Sequence, residues 1–100
     1  MQTEPSEDDL SRFAATLPAW SYAPERRALR RRLRFADFAE ALGAMVRIGV
    51  EAEKSDHHPE WTNVYDTLDV WLTTHDVGGV SERDEALAAT IDRMFPAPRA

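Results

Sequence analysis

All three histidines of this 100-residue sequence fall between Glu53 and Asp84. His57 and His58 are adjacent and run into Pro59, His75 follows, and Glu53, Asp56, Asp76 and Asp84 stand around them. Imidazole, with an ordinary pKa of about 6.5, gives and accepts protons near neutrality. Two imidazoles oriented by carboxylates suffice for a site that protonates one atom and deprotonates another. Other chemistries find less support. Without cysteine there is no thiolate, and no serine sits in a nucleophile elbow. The glycine-rich fingerprints of nucleotide sites are missing. Side chains of adjacent residues usually point apart, and no His-x-x-x-His pair occurs, so no metal centre is expected. General acid–base work by histidine is what remains.

Each residue also has a plainer reading. His57 and His58 suit a polar loop, His75 a solvated turn, and Glu53 the last turn of a helix. Asp84 lies three residues after Ser81, the spacing of a capping box, and that role is compatible with any other. Trp61 and Trp71 are ordinary packing residues. The joint pattern separates this stretch from the rest of the chain.

The elements that must position these residues are readable from periodicity. Ser6 with Asp9, then Leu10, Phe13 and Leu17, predicts a helix over 7–16 that ends before Pro18. Trp20 and Tyr22 alternate ahead of a turn at Pro24–Glu25, which predicts a short strand. Next, Leu29, Arg31, Leu33 and Phe35 take one side of a second strand, and Arg30, Arg32 and Arg34 make a basic opposite face. Asp37 caps a predicted helix over 38–54 whose apolar stripe is read as Phe38, Leu42, Met45 and Ile48, with small Ala41, Gly49 and Ala52 between. His57 and His58 then fall in the loop leaving it, since Pro59 forbids continuation.

From Trp61 to His75 the pattern is a hairpin. Leu68, Val70 and Leu72 face one way and Thr67, Asp69, Trp71 and Thr73 the other, with a tight turn expected near Asp66–Thr67. Gly78-Gly79 marks another turn. A last helix carries Leu87, Ile91 and Met94 or Phe95 inward before Pro96 and Pro98. The order α-β-β-α-β-β-α predicts an α+β fold: two layers, a four-stranded antiparallel sheet with helices on one face. One domain over 7–95 is expected, with a flexible tail at 1–6 and another at 96–100.

Composition narrows the classes. An apolar share of 43% with 30% charged residues fits a folded soluble domain. The formal charge of −6 argues against general nucleic-acid binding, although six arginines crowd between Arg26 and Arg34. No aromatic residues interleave with them, so a phosphate or RNA surface is the weaker reading and a strand balanced by acidic neighbours the stronger. The acidic N-terminus has no apolar h-region, and no run is long enough to span a membrane. A cytoplasmic protein with no membrane and no nucleic-acid partner is expected.

The pattern Glu53-x-x-x-His57-His58-Pro59, then Tyr65, His75 and Asp84, resembles the signature of the pterin-4a-carbinolamine dehydratases. Glu60-Trp61-x-Asn63-Val64-Tyr65, Leu72-x-Thr74-His75-Asp76, Gly78-Gly79 and Leu87-Ala88 extend the likeness, as do Trp20, Arg31, Phe35, Asp37-Phe38 and Met45 upstream. Departures are few. Ala44 stands where the family usually has a bulky residue, Leu33 where Phe is commoner and Val80 where Leu is frequent; these touch packing or assembly.

The resemblance implies dehydration of 4a-hydroxytetrahydropterin to quinonoid dihydropterin, in recycling of the pterin spent by an aromatic amino acid hydroxylase. No cofactor is implied. His57 and His75 would supply acid and base, and His58 would hold the substrate. Asp56, Thr73, Thr74 and Asp76 would complete the pterin pocket, and Glu53 and Asp84 would orient imidazoles. The family also implies a homodimer or homotetramer. The competing implication is a non-catalytic binding protein on the same fold, a dimerisation cofactor or an assembly factor.

Overall fold

The structure, a computed structural model, describes residues 4–96. Its elements are α1 (Glu7–Thr16), β1 (Ser21–Ala23), β2 (Ala28–Arg34), α2 (Phe38–Lys54), β3 (Glu60–Val64), β4 (Thr67–Leu72), a 3₁₀ turn (His75–Val77) and α3 (Glu82–Met94). This is the expected α+β order. The sheet runs β1-β2-β4-β3 with every neighbouring pair antiparallel. Two hairpins are thus joined by α2, which carries the chain from β2 to the far edge. Of the expected C-terminal tail, residues from 97 onward, including Pro98, lie outside the described residues.

Alternation sorts the sheet into two faces. Leu29 and Leu33 from β2 and Leu68, Val70 and Leu72 from β4 point to the helices, where Ile48, Ala52, Leu87, Ala88 and Ile91 meet them in one core. Arg31 shares that face and is buried, bonding Asp92 Oδ1 at 2.5 Å and the Phe95 carbonyl at 2.7 Å. Asp92 also accepts from the Trp20 indole N–H at 2.9 Å, so one carboxylate ties α3 to both β2 and the residue before β1. On the opposite face Ala23, Ala28 and Trp71 form a small separate cluster. Among the described residues no helix is long and apolar enough to cross a membrane.

Three expectations need correction. In α2 the buried residues are Ala41, Ala44, Ile48 and Ala52, with Met45 packed at the margin. Phe38 and Leu42 face outward with Val46 and Val50. Close packing of a helix on a sheet favours small side chains at the contact, and the larger apolar residues therefore occupy the outer row. Leu10 of α1 is exposed as well. The β3–β4 turn is centred on Tyr65 and Asp66, one residue earlier than expected, with Tyr65 at φ 53°. The side-chain amide of Asn63 donates to the carbonyls of Tyr65 and Thr67 and braces that turn.

The basic face of β2 is internally balanced. Asp69, cross-strand from Arg32, accepts from Arg32 Nε and one terminal nitrogen at 3.0 and 3.1 Å and from Arg30 at 2.7 Å. Arg34 lies 3.8 Å from Asp66. The hydrogen bonds from Arg32 above all, with the charge of Arg30 behind them, hold the Asp69 carboxyl below its usual range. A depressed folded-state pKa stabilises the fold above the unfolded value, about 3.9, and is lost as pH falls through the folded one. Urea denaturation from about pH 5 down to about pH 2 is expected to show a shallower acid loss in Asp69→Asn than in the parent.

Candidate active site

The local structure that presents His57 begins with the end of α2. Ser55 is the C-cap and Asp56 turns into the left-handed region at φ 52°. The Asp56 N–H then bonds the Glu53 carbonyl at 3.2 Å, and the His57 N–H bonds the Ala52 carbonyl at 3.1 Å. This is the paired closure of a Schellman motif, and it fixes the His57 backbone against the helix terminus. Asp56 therefore has a backbone role here, since Asp is among the few side chains that enter this region at small cost.

His57 is buried, and its Nε2 lies 2.5 Å from Asp84 Oδ1. Asp84 has no exposed surface and its other oxygen accepts from the Thr74 hydroxyl at 2.7 Å and the Ser81 N–H at 2.8 Å. The second of these, with the Ser81 cap, is the capping box that opens α3. One carboxylate thus serves the helix terminus and the histidine together. As an acceptor of donors on both oxygens, it selects the imidazole tautomer with hydrogen on Nε2, which leaves Nδ1 with the free lone pair.

β3 and β4 pair antiparallel from Glu60↔Trp71, so the chain carrying His57 and His58 enters the sheet at the end where Thr73, Thr74 and His75 leave it. His58 is exposed, with Nε2 2.8 Å from Glu53 Oε1. His75 opens the 3₁₀ turn, and this turn is closed by the bridge of Thr74 with Gly79. Its ring is 84% exposed, so it faces solvent, and its Nε2 lies 3.2 Å from Glu60 Oε2. Thr73 donates to the Arg27 carbonyl at 2.8 Å. Thr74 is buried, and its hydroxyl is engaged with Asp84 and with Ser81 Oγ at 2.6 Å. Asp76 accepts from Arg83 at 3.0 Å, and that bond, with a smaller contribution from His57 nearby, holds its carboxyl below the usual range.

Two hollows open at this end. One, of about 310 Å³, is lined by Arg26, Arg27, Glu60, Thr73, His75 and Gly78. The other, of about 260 Å³, has His57 in its wall together with Ser55, Lys54, Arg83 and Leu87. His57 and His75 were expected to supply acid and base to one substrate; they line separate hollows. The link between them is covalent and polar: Thr74 binds the carboxylate that holds His57, and His75 is its neighbour in sequence. Asp84 brings His57 and Thr74 together, and Glu53 pairs separately with His58. The roles of Arg26, Glu60, Ser81 and Arg83 were not read from sequence. Ser81 had been noticed only as a cap, Arg26 only as one of six clustered arginines, and Glu60 only within the run Glu60-Trp61-x-Asn63. Among the described residues no group of three or more histidines and acids is arranged to hold a metal ion.

A family model described as pterin 4 alpha carbinolamine dehydratase matches residues 3–94. The chain belongs to this family. The dehydratase family relatives include a protein of Burkholderia vietnamiensis strain G4, provisionally named a pterin-4-alpha-carbinolamine dehydratase, 54% identical over 78 residues that span 78% of this chain and 76% of the relative. A protein of Paraburkholderia xenovorans strain LB400 under the same provisional name is 49% identical over 89% of this chain and 92% of its own. Among solved structures, a Brucella melitensis protein described as a transcriptional coactivator/pterin dehydratase superposes with a TM-score of 0.83 at 36% identity, covering 91% of this chain and 97% of that one.

Asp84 anchors the whole arrangement, and its removal leaves the Thr74 hydroxyl, the Ser81 N–H and the His57 ring without their common acceptor. Asp84→Ala is expected to cost about 3 kcal/mol of folding stability, read from the urea midpoint of the purified protein.

Proposed function

We propose that this protein dehydrates 4a-hydroxytetrahydropterin to quinonoid dihydropterin, with His57 and His75 exchanging the protons. The reading is carried by the buried Asp84–His57 contact, at 2.5 Å, wired through Thr74 to the segment that presents His75. Membership of the dehydratase family supports the substrate class.

Hydroxide is a poor leaving group, so the oxygen on C4a must gain a proton as its bond to carbon breaks. The adjacent ring nitrogen supplies the electron pair, and the pterin releases a proton elsewhere; the sum is loss of one water. One acid and one base complete the cycle. Asp84 suits His57 to this work by fixing its tautomer and the orientation of its ring. His58, tied to Glu53 and open to solvent, is assigned to holding substrate. Exposed His75 remains free to meet a ligand. In this reading the enzyme acts in the cytoplasm, as a homodimer or homotetramer, on the pterin released by an aromatic amino acid hydroxylase.

A second reading, a binding protein on the same fold, draws on the exposed row of Phe38, Leu42, Val46 and Val50 and on the coactivator description of the Brucella structure. Freshly generated 4a-hydroxytetrahydropterin, followed by absorbance against its spontaneous decay, separates the two. The enzyme reading expects catalysis, with His57→Ala and His75→Ala each slowing it by about 10²-fold or more. Decay at the spontaneous rate, or folded variants that both keep the parent rate, would overturn it.

A further inference from the structure

On the open face of the sheet a row of side chains leads to His75. In register, Arg30 on β2 pairs with Trp71 on β4, and Trp71 pairs with Glu60 on β3. Arg26, from the β1–β2 turn, lays its guanidinium over the Trp71 ring at 3.7 Å from the centroid. From there its Nη1 comes within 3.6 Å of Glu60 Oε1. The other carboxylate oxygen, Oε2, is the one 3.2 Å from His75 Nε2. Arg26, Glu60 and His75 also line the same hollow.

The platform is unusual. Trp71 points to the open face, yet it is 91% buried (9% exposed), because Arg26 and Arg30 cover it. Its Nε1–H is buried and has no hydrogen-bond partner among the described residues. A Trp held for its polar edge would have found an acceptor, so the ring face is what this position uses. A guanidinium stacked on an indole loses little further freedom when it grips a carboxylate, which a lysine ammonium cannot match.

We propose that Arg26, seated on Trp71, is a positioning residue that fixes Glu60 and through it the ring of His75. Without it, Glu60 is a half-exposed carboxylate at a strand end, free to turn, and His75 is a solvent-facing ring with one mobile partner. The charged groups around His75 are Glu60 from β3, Arg26 and Arg27 from the β1–β2 turn, and Asp76 beside it, which Arg83 already holds. Of these, Arg26 is the cation that contacts the partner of His75. This inference rests on the assignment of His75 to the reaction given above.

The test compares Arg26→Ala, Arg26→Lys, Glu60→Gln and the Arg26→Ala/Glu60→Gln pair in the full chain. Dehydration kinetics and the NMR signals of the His75 ring at fixed pH are read together. Arg26→Ala is expected to lower kcat by about tenfold with KM changed by less than about twofold, and Arg26→Lys to restore only part of it. The double variant is expected to be no slower than Glu60→Gln alone, since Arg26 acts through Glu60. The His75 ring signals should move in Arg26→Ala. Additive losses, or unmoved His75 signals, overturn the proposal. Should Arg26→Ala fail to fold, Arg26→Gln, which keeps part of the stem and a polar end without the charge, reads the same outcomes. If His75→Ala is itself without effect on rate, the assignment of His75 fails, and the ring signals still decide whether Arg26 positions it.

Discussion

A carboxylate withdrawn from water must have its lone pairs met by donors, or its burial costs several kcal/mol. At Asp84 the donors come from three separate places in the chain: the N-terminus of its own helix, the end of β4 and the loop that leaves α2. The first two flank the 3₁₀ turn, and the third is distant in sequence. Their meeting depends on the whole fold, and any displacement of α3 along the sheet breaks the contacts to His57 and Thr74 together. The site and the packing of α3 are one feature seen from two sides.

The two faces of the sheet divide the remaining work. The helix-side face buries aliphatic residues and a single charge, Arg31, whose guanidinium donates to Asp92 and to a carbonyl at the end of α3. The open face carries its charges in compensated groups, Arg30 and Arg32 with Asp69, and Arg26 with Glu60. Six clustered arginines thus coexist with an overall acidic protein without creating an uncompensated basic strip. The outward arginines of β2 are tolerated because β4 places Asp69 directly opposite Arg32 and within reach of Arg30.

Much of this was legible in the residues alone. Strand periodicity gave both faces of β2 and β4, and the Ser-x-x-Asp spacings located the starts of α1 and α3, where both capping boxes form. The carboxylate partners Glu53 and Asp84 were legible from spacing and resemblance together. Helix phase in α2 was not, because a scale that ranks residues by apolar character selects Phe38 and Leu42, whereas the contact with the sheet selects by size and takes Ala41, Ala44 and Ala52. The Schellman closure at Asp56 was hidden because Asp signals many turn types. The Arg26–Glu60–His75 series was hidden for a different reason: it joins the β1–β2 turn, the start of β3 and the 3₁₀ turn, and which of these meet is not written in any local pattern.

The 3₁₀ turn that bears His75 is closed on itself, with Thr74 and Gly79 exchanging both backbone bonds and Gly78 taking the left-handed conformation at φ 71°. An imidazole that projects into solvent from such a closed loop differs from one on a mobile loop. Its main chain has already given up its disorder during folding, so capturing a ligand has only two side-chain torsions left to immobilise, a small entropic cost. Solvent exposure and rigidity are therefore not opposites at this residue.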